Sequence, residues 1–264
     1  MGRRPLDVEL VRRGLAETTE EARAAVRAGH VTVAGSPATK STTLVAPEEP
    51  LSVSEPRPYV SRGGGKLAAA LDAFAIDPAG RDCLDVGAST GGFTDRLLQG
   101  DARHVVALDV GAGLLAWELR TDPRVTVVER TNVRKLVPTM LPYRPSLIVA
   151  DVSFISLRLV VAPLVEVSAA AADLVLLVKP QFEAARAEVG RGGVIRDPGV
   201  WRRAIEGIAE SCRAAGAAPV GLAVSPVRGP AGNVEFLLHA VAGGDPRSLD
   251  VGGTVEAAAA MEAS

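Results

Sequence analysis

Leu84-Asp85-Val86-Gly87-Ala88-Ser89-Thr90-Gly91-Gly92-Phe93-Thr94 decides how the rest of the chain is read. An apolar run, Cys83–Ala88, leads into it, and a helical pattern, Thr94–Gln99, leads out. Strand, glycine turn and helix bring backbone close to a ligand and leave the first N–H groups of the helix unpaired. The glycine spacing is not the G-x-G-x-x-G of dinucleotide sites. Asp85 at the strand end disfavours a pyrophosphate and suits an ammonium group. Asp109 closes the next run, Val105–Val110, about 20 residues beyond the glycines, where a carboxylate bonds a ribose.

A nucleoside bearing both an ammonium group and a free ribose meets both demands, and S-adenosylmethionine is such a molecule. NAD is the rival. The residues expected to hold the cofactor are Asp85, Gly87, Ser89, Gly91, Gly92, Phe93, Asp109, Asn132 and Asp151. Asn132 and Asp151 are included because they follow the third and fourth apolar runs.

Working outward, β-rich runs stand at Cys83–Ala88, His104–Val110, Val125–Val128, Ser146–Ala150, Leu174–Val178, Pro219–Val224 and Glu235–Val241. Helical stretches separate them, the clearest at Thr94–Gln99, Leu157–Ala172 and Val200–Ala214. Strands without polar alternation are buried on both faces, which implies a parallel, doubly wound, Rossmann-like α/β sheet. Ligands of such sheets bind beyond the carboxyl ends of the strands.

Ionisable residues directly after apolar strand residues would be costly if buried alone. Asp151 follows Ile148-Val149-Ala150, Lys179 follows Leu174–Val178, and Glu235 opens the last run. All three are expected at one crevice. Lys66, in Ser61-Arg62-Gly63-Gly64-Gly65-Lys66-Leu67, begins the helix before the first strand and reaches the same rim. The chain has four lysines (Lys40, Lys66, Lys135, Lys179) among 29 basic side chains. Lysine is the cation that loses its proton when desolvated, so two of four at the crevice suggests chemistry. Lys66, Asp151, Lys179 and Glu235 are the candidate catalytic set. Lys179 is either a base, its pKa brought to roughly 7–8 by desolvation and the Lys66 charge, or a cation stabilising an alkoxide.

Ahead of the sheet, Leu6–Leu15 has helical spacing and a glycine stop, and Thr18 or Thr19 caps a second helix that Gly29 ends. A short strand at His30–Gly35 and a closing strand at Leu51–Val53 follow. Residues 1–46 hold seven basic and five acidic groups, in a chain of net charge −2. The expected organisation is a small basic α+β domain at 1–55, a proline-rich linker at 56–63, the sheet domain at 64–245, and a tail or short terminal helix at 246–264.

Leu-Asp-x-x-Leu-x-x-x-Gly-Leu, a helix, then Gly-x-Val-x-Val-x-Gly resembles the S4 RNA-binding module. That resemblance implies RNA contacts from Arg3, Arg4, Arg12, Arg13 and Lys40, and Arg57 and Arg62 near the linker are expected to extend that track. Thr18-Thr19 and Lys40-Ser41 stand where many S4 modules carry Ser-Arg and Lys-Pro. The order Lys66, Asp151, Lys179, Glu235 resembles the tetrad of FtsJ-like 2′-O-ribose methyltransferases. Val-Ser-Arg-Gly-Gly-x-Lys-Leu, Ala-Asp-x-Ser-Phe-Ile-Ser and Val-Lys-Pro-Gln-Phe-Glu, with the glycine turn, resemble the TlyA family from about residue 3 to 241. Tyr59 replaces that family's linker tryptophan. The resemblance implies S-adenosylmethionine-dependent methylation of cytidine ribose in ribosomal RNA.

Two alternatives stay open: an RNA-binding protein that kept the fold without the chemistry, and the membrane-active haemolysin of the family's older label. Against the latter, the longest apolar stretch, Leu159–Val178, contains Pro163, Glu166 and Asp173 and reads as helix, turn and buried strand. No apolar run follows Arg3-Arg4, so a secretory signal is not expected. Hydrophobic residues at 47% and charged residues at 23% describe a globular chain. Cys83 and Cys212 read as reduced core thiols of a cytoplasmic protein, and the scattered histidines make a metal site unexpected. The chain is expected to act as a monomer. Gln181–Gly193 is expected as a mobile loop over the site, because it mixes charges with glycines.

Overall fold

The computed structural model describes residues 2–54, 58–245 and 247–263, which form two compact units, Met1–Arg57 and Pro58–Ser264. Arg57, a predicted RNA contact, lies outside the described residues together with Glu55, the last residue of the expected first domain, and Pro56 of the expected linker.

The first unit opens with a two-residue strand, β1 (Arg4–Pro5), and two helices, α1 (Leu6–Arg12) and α2 (Thr19–Arg27). Four short strands follow: β2 (Val31–Val33), β3 (Ser36–Pro37), β4 (Leu44–Val45) and β5 (Leu51–Val53). β1 pairs with β4, and β2 lies between β3 and β5, all antiparallel. Helix α1 stops three residues before Leu15. Gly14 takes a left-handed φ of +69°, and the Leu15 N–H bonds back to the Leu10 carbonyl, closing the helix end. The Thr18 hydroxyl caps α2 by accepting from the Glu21 N–H. Leu6, Leu10, Ala22, Val26, Val31 and Val45 make its core.

The second unit holds helix α3 (Gly63–Phe74), then strands β6 (Asp82–Val86), β7 (His104–Leu108), β8 (Val125–Val128), β9 (Leu147–Ala150), β10 (Asp173–Val178), β11 (Ala217–Val224) and β12 (Phe236–Ala242). Its other helices are α4 (Gly92–Gln99), α5 (Trp117–Arg120), α6 (Val161–Val167), α7 (Pro180–Glu183), α8 (Pro198–Ala214) and α9 (Val251–Ala263). The seven strands lie in the order β11-β12-β10-β9-β6-β7-β8. Both faces of the sheet are apolar. Leu84, Ile148 and Leu176 pack with Leu164 and Ile205, while Cys83, Val105 and Val149 pack with Leu67 and Leu97. Successive strand residues therefore enter opposite cores, which explains the absence of polar alternation. The apolar stretch 159–178 is divided between α6 and β10.

The parallel sheet expected from the sequence needs one correction. Strands β6 to β10 are parallel where they pair, but β12 runs antiparallel to both β10 and β11. The link from β11 to β12, residues 225–235, holds no helix to make the crossover that a parallel pair usually uses. The last residues form α9, which packs on α8 and β11 and buries Val255 and Ala258, so the terminal stretch is a helix rather than a tail.

Candidate active site

Asp85 lies in the last two residues of β6, and Asp109 and Asp151 directly follow β7 and β9. Asp85 is fully buried beneath the glycine turn. Its Oδ2 accepts from the Thr94 N–H at 2.9 Å and the Thr94 hydroxyl at 2.7 Å, tying strand β6 to the first turn of α4. Its Oδ1 is buried without a hydrogen-bond partner among the described residues. Burial pushes its carboxyl up to about 7, against the two Thr94 hydrogen bonds and with added repulsion from Asp151 and Asp109.

The turn above leaves no room for a side chain. Gly87 has φ +82°, and a Cβ there would lie 2.5 Å from the Asp151 carbonyl oxygen. Asp109 accepts from the N–H groups of Ser89 at 2.8 Å and Gly111 at 2.7 Å, which fixes it beside the turn. Ala88, Ala107, Leu114, Leu115 and Val127 form an apolar wall next to Asp109 and Ser89.

On the other side of Ser89 opens a cleft of about 200 Å³. Ser61, Arg62, Gly63, Lys66, Gly87, Thr90, Gly92, Phe93, Asp151 and Pro230 line it. Two ion pairs stand here. Lys66 Nζ lies 2.5 Å from Glu235 Oε2, with the lysine side chain 8% exposed and the glutamate 0%. Lys179 Nζ lies 2.5 Å from Asp151 Oδ1 and donates to Ser153 Oγ at 2.9 Å. The pairs feel one another: burial raises the Glu235 carboxyl, while Lys66 and Lys179 pull it down and Asp151 pushes it up. Glu235 reaches this edge because β12 is reversed. Phe236 pairs with Val178, so the residue before β12 meets the residue after β10.

Gly91 and Phe93 sit in or under the glycine turn, Gly91 with φ +99° and Phe93 3% exposed. Asn132 is placed differently. Its side-chain oxygen accepts from the Arg134 N–H and caps a short 3₁₀ turn, and it lines neither cleft. Extended backbone before a turn makes asparagine a cap, and the sequence position alone did not reveal that competing use.

Among the predicted RNA contacts, Arg3, Arg4, Arg12, Lys40 and Arg62 are exposed, and Arg62 borders the cleft. Glu9, fully buried, gathers three of the set: Arg12 binds it bidentately at 2.8 and 2.6 Å, Arg13 at 2.8 Å, and Arg4 lies 3.9 Å away. Hydrogen bonds from Arg12 and Arg13 hold its carboxyl down at about 2. Arg13 also donates to the carbonyls of Ala46, Pro47 and Glu49. It is a staple between α1 and that turn.

Sequence reasoning assigned no role to Ser61, Ser153, Phe154 or Glu183. Ser61 stands against the turn, where a Cβ at Gly92 would fall 2.2 Å from its hydroxyl. Phe154 is 92% exposed with a left-handed φ of +63°, next to Ser153 and tilted against Phe182 with ring centres 5.3 Å apart. A large exposed aromatic in strained backbone is the feature a sequence does not disclose. Gln181–Gly193, expected as a mobile cover, forms α7 and two short turns, and Asn233 pins its end by donating to the Gly193 carbonyl and accepting from the Ile195 N–H. Among the described residues no cluster of three or more His, Cys, Asp or Glu side chains could hold a metal ion, and no helix is long and apolar enough to cross a membrane.

Comparison with known proteins places this geometry. Residues 59–241 match the FtsJ-like methyltransferase family, and residues 4–50 match the S4 domain. The chain is 51% identical over 235 residues, 88% of each chain, to the 16S/23S rRNA (cytidine-2′-O)-methyltransferase TlyA of Mycobacterium tuberculosis H37Rv. It is 38% identical over 236 residues to Hemolysin A of Brachyspira hyodysenteriae, covering 89% of this chain and 98% of that one. A solved hemolysin-named protein of Streptococcus thermophilus superposes with a TM-score of 0.75 at 36% identity, covering 99% of this chain and 97% of that one.

Proposed function

The chain belongs to the FtsJ-like methyltransferase family and carries an S4 domain, and from that premise we propose that it methylates the ribose 2′-hydroxyl of cytidine in ribosomal RNA, using S-adenosylmethionine. The observation that carries this reading is the meeting of two lysine–carboxylate pairs at the sheet edge beside the glycine turn.

The residues present fit the cofactor. The orphaned Asp85 Oδ1 lies under a turn whose backbone a Cβ would obstruct, as an ammonium-bearing ligand requires. Asp109, fixed by two backbone N–H groups beside an apolar wall, suits the ribose and base of a nucleoside. Asp85, Gly87, Ser89 and Asp109 would hold it. When bound, S-adenosylmethionine supplies an electrophilic methyl group on its sulfonium.

The chain's own residues then have three tasks. The first is alignment, because in-line displacement requires the hydroxyl oxygen to be held within about 3–3.5 Å of its target. The second is proton removal. Lys179 and Asp151, 2.5 Å apart, are the pair that receives the hydroxyl proton. The third is charge stabilisation: oxygen that loses its proton beside Lys179 and Lys66 develops its charge against fixed cations in a largely dry site. Glu235 fixes Lys66 while keeping the site close to neutral at rest.

Phe154 offers an exposed ring for an extruded base, since stacking is how unpaired nucleotides are held. Arg3, Lys40 and Arg62 offer phosphate contacts that position RNA without reading its sequence. The test is transfer of tritiated methyl from S-adenosylmethionine to ribosomal subunits, followed by mapping of the product. Methyl on cytidine 2′-oxygen is expected, and methyl on a base would overturn the assignment.

A further inference from the structure

The loop after β9 carries Asp151 and Ser153, and the segment after β10 carries Lys179, so the geometry of the second ion pair depends on how these two segments are held together. Outside the ion pair itself, the Glu183 side chain spans them. Glu183, at the end of α7, has a side chain 1% exposed. Its Oε2 accepts from the Ser156 hydroxyl at 2.6 Å, and its Oε1 accepts from the Leu157 N–H at 2.7 Å. Arg158 Nε stands 3.6 Å from Oε2. Both carboxylate oxygens of a buried group are thus directed at the 151–157 loop.

Two further contacts cross the same seam. Lys179 bonds Ser153, and Phe182 packs against Phe154 with the rings tilted at 52°, while on its own segment the Lys179 ammonium lies 5.9 Å from the centre of the Phe182 ring. Phe154, between Ser153 and the bonded Ser156, holds a left-handed φ of +63°. A bulky residue keeps such a conformation when its surroundings over-determine it, and the Glu183 carboxylate supplies two of those restraints.

We propose that Glu183 is a positioning residue for methyl transfer: by clasping Ser156 and Leu157 it fixes Asp151, Ser153 and Phe154 relative to Lys179. The inference rests on the reading of the Lys179–Asp151 pair as the group that receives the hydroxyl proton. Burial also raises the Glu183 carboxyl, in keeping with a group whose use is its two acceptor oxygens rather than its charge. A glutamine there keeps one acceptor for Leu157 and gives Ser156 an amide to accept from.

The experiment compares the full chain with Glu183→Ala, Glu183→Gln and Ser156→Ala. It reads backbone hydrogen exchange at Leu157, S-adenosylmethionine affinity, and kcat and KM on ribosomal subunits. Glu183→Ala is expected to lose Leu157 protection and about 10²-fold in kcat, the cost of a misplacement near 1 Å, with cofactor affinity changed by less than about threefold. Glu183→Gln is expected to restore Leu157 protection and kcat together. Loss of protection with kcat unchanged would overturn the proposal. So would restored protection without restored kcat, because the charge itself would then be in use. If Glu183→Ala does not fold, Ser156→Ala decides: a fall in kcat of about tenfold supports the clasp, and no change removes it. Absence of methyl transfer by the unmodified chain would overturn the functional reading, whereas loss of Leu157 protection in Glu183→Ala would still support the clasp.

Discussion

Removing one partner of the Lys66–Glu235 pair separates its structural role from its chemical one. The two side chains are 8% and 0% exposed and 2.5 Å apart. Glu235→Leu leaves an ammonium in a site that water barely reaches, and Lys66→Met leaves a carboxylate there. Each single change is expected to destabilise the methyltransferase unit by about 3–5 kcal/mol, the cost of an uncompensated buried charge. At about 2–4 °C per kcal/mol for a unit of this size, the melting temperature falls by roughly 10 °C. The double variant Lys66→Met with Glu235→Leu removes both charges and is expected to recover stability to within about 1 kcal/mol of the unmodified chain. Activity should not recover: the rate of methyl transfer stays at least about 10²-fold down, because the cation proposed to stabilise the reacting oxygen is gone. Urea unfolding followed by circular dichroism gives the stabilities, and tritium transfer to ribosomal subunits gives the rates. A double variant that methylates normally would show that the pair is structural and would refute its place in the reaction. Single variants within 1 kcal/mol of the unmodified chain would refute the burial argument.

Lys179→Met should lower kcat by at least about 10²-fold while leaving S-adenosylmethionine affinity within about threefold, checked by calorimetry beside the rate assay. Phe154→Ala, which removes an exposed ring, should cost about 1–3 kcal/mol of RNA-dependent kcat/KM, with cofactor affinity unchanged. Arg3 and Lys40 are exposed and unpaired among the described residues, so Arg3→Gln with Lys40→Gln should reduce the slope of log RNA affinity against log salt by about 2. For Asp85 the native carboxyl lies near 7 and the unfolded one at 3.8, so the native state binds the extra proton. Its stabilising contribution is complete below about pH 4 and is lost as pH rises through 7, by up to about 4 kcal/mol. Asp85→Asn should remove that loss, so the variant gains on the unmodified chain between pH 4 and pH 8 in urea titrations.

Strand ends were legible because burial speaks directly in sequence. Asp151 after Leu147–Ala150 and Lys179 after Asp173–Val178 are charges terminating apolar runs, and the pattern allows few other placements. What stayed hidden depends on partners far away in the chain. Nothing near Arg13 announces that its donors go to Ala46, Pro47 and Glu49, which lie more than thirty positions away. Asn132 and Glu183 are ordinary polar residues until the turn that one caps and the loop that the other clasps are known. Strands β1, β3 and β4, of two residues each, are too short to show any period.

The reversed strand carries the deepest dependence of site on fold. A residue that opens a parallel strand sits at the amino edge of the sheet, opposite the ligand edge. Glu235 precedes Phe236, the first residue of β12, so in an all-parallel sheet it would stand a strand's length from Lys179, and Lys66 would have no carboxylate. With β12 antiparallel, Phe236 pairs with Val178 and the glutamate arrives at the edge that holds Lys179. The short connection from β11 enforces that direction, since Gly229 and Asn233 close it with a backbone hydrogen bond of 2.9 Å. A Cβ at Gly229 would fall 2.6 Å from Glu235 Oε1. The turn that reverses the strand is therefore the same turn that makes room for the carboxylate, and Gly229→Val should displace Glu235 from Lys66 while leaving the glycine turn and Asp109 intact. Cofactor affinity would then survive and methyl transfer would not, and joint loss of both would break the link argued here between strand direction and the tetrad.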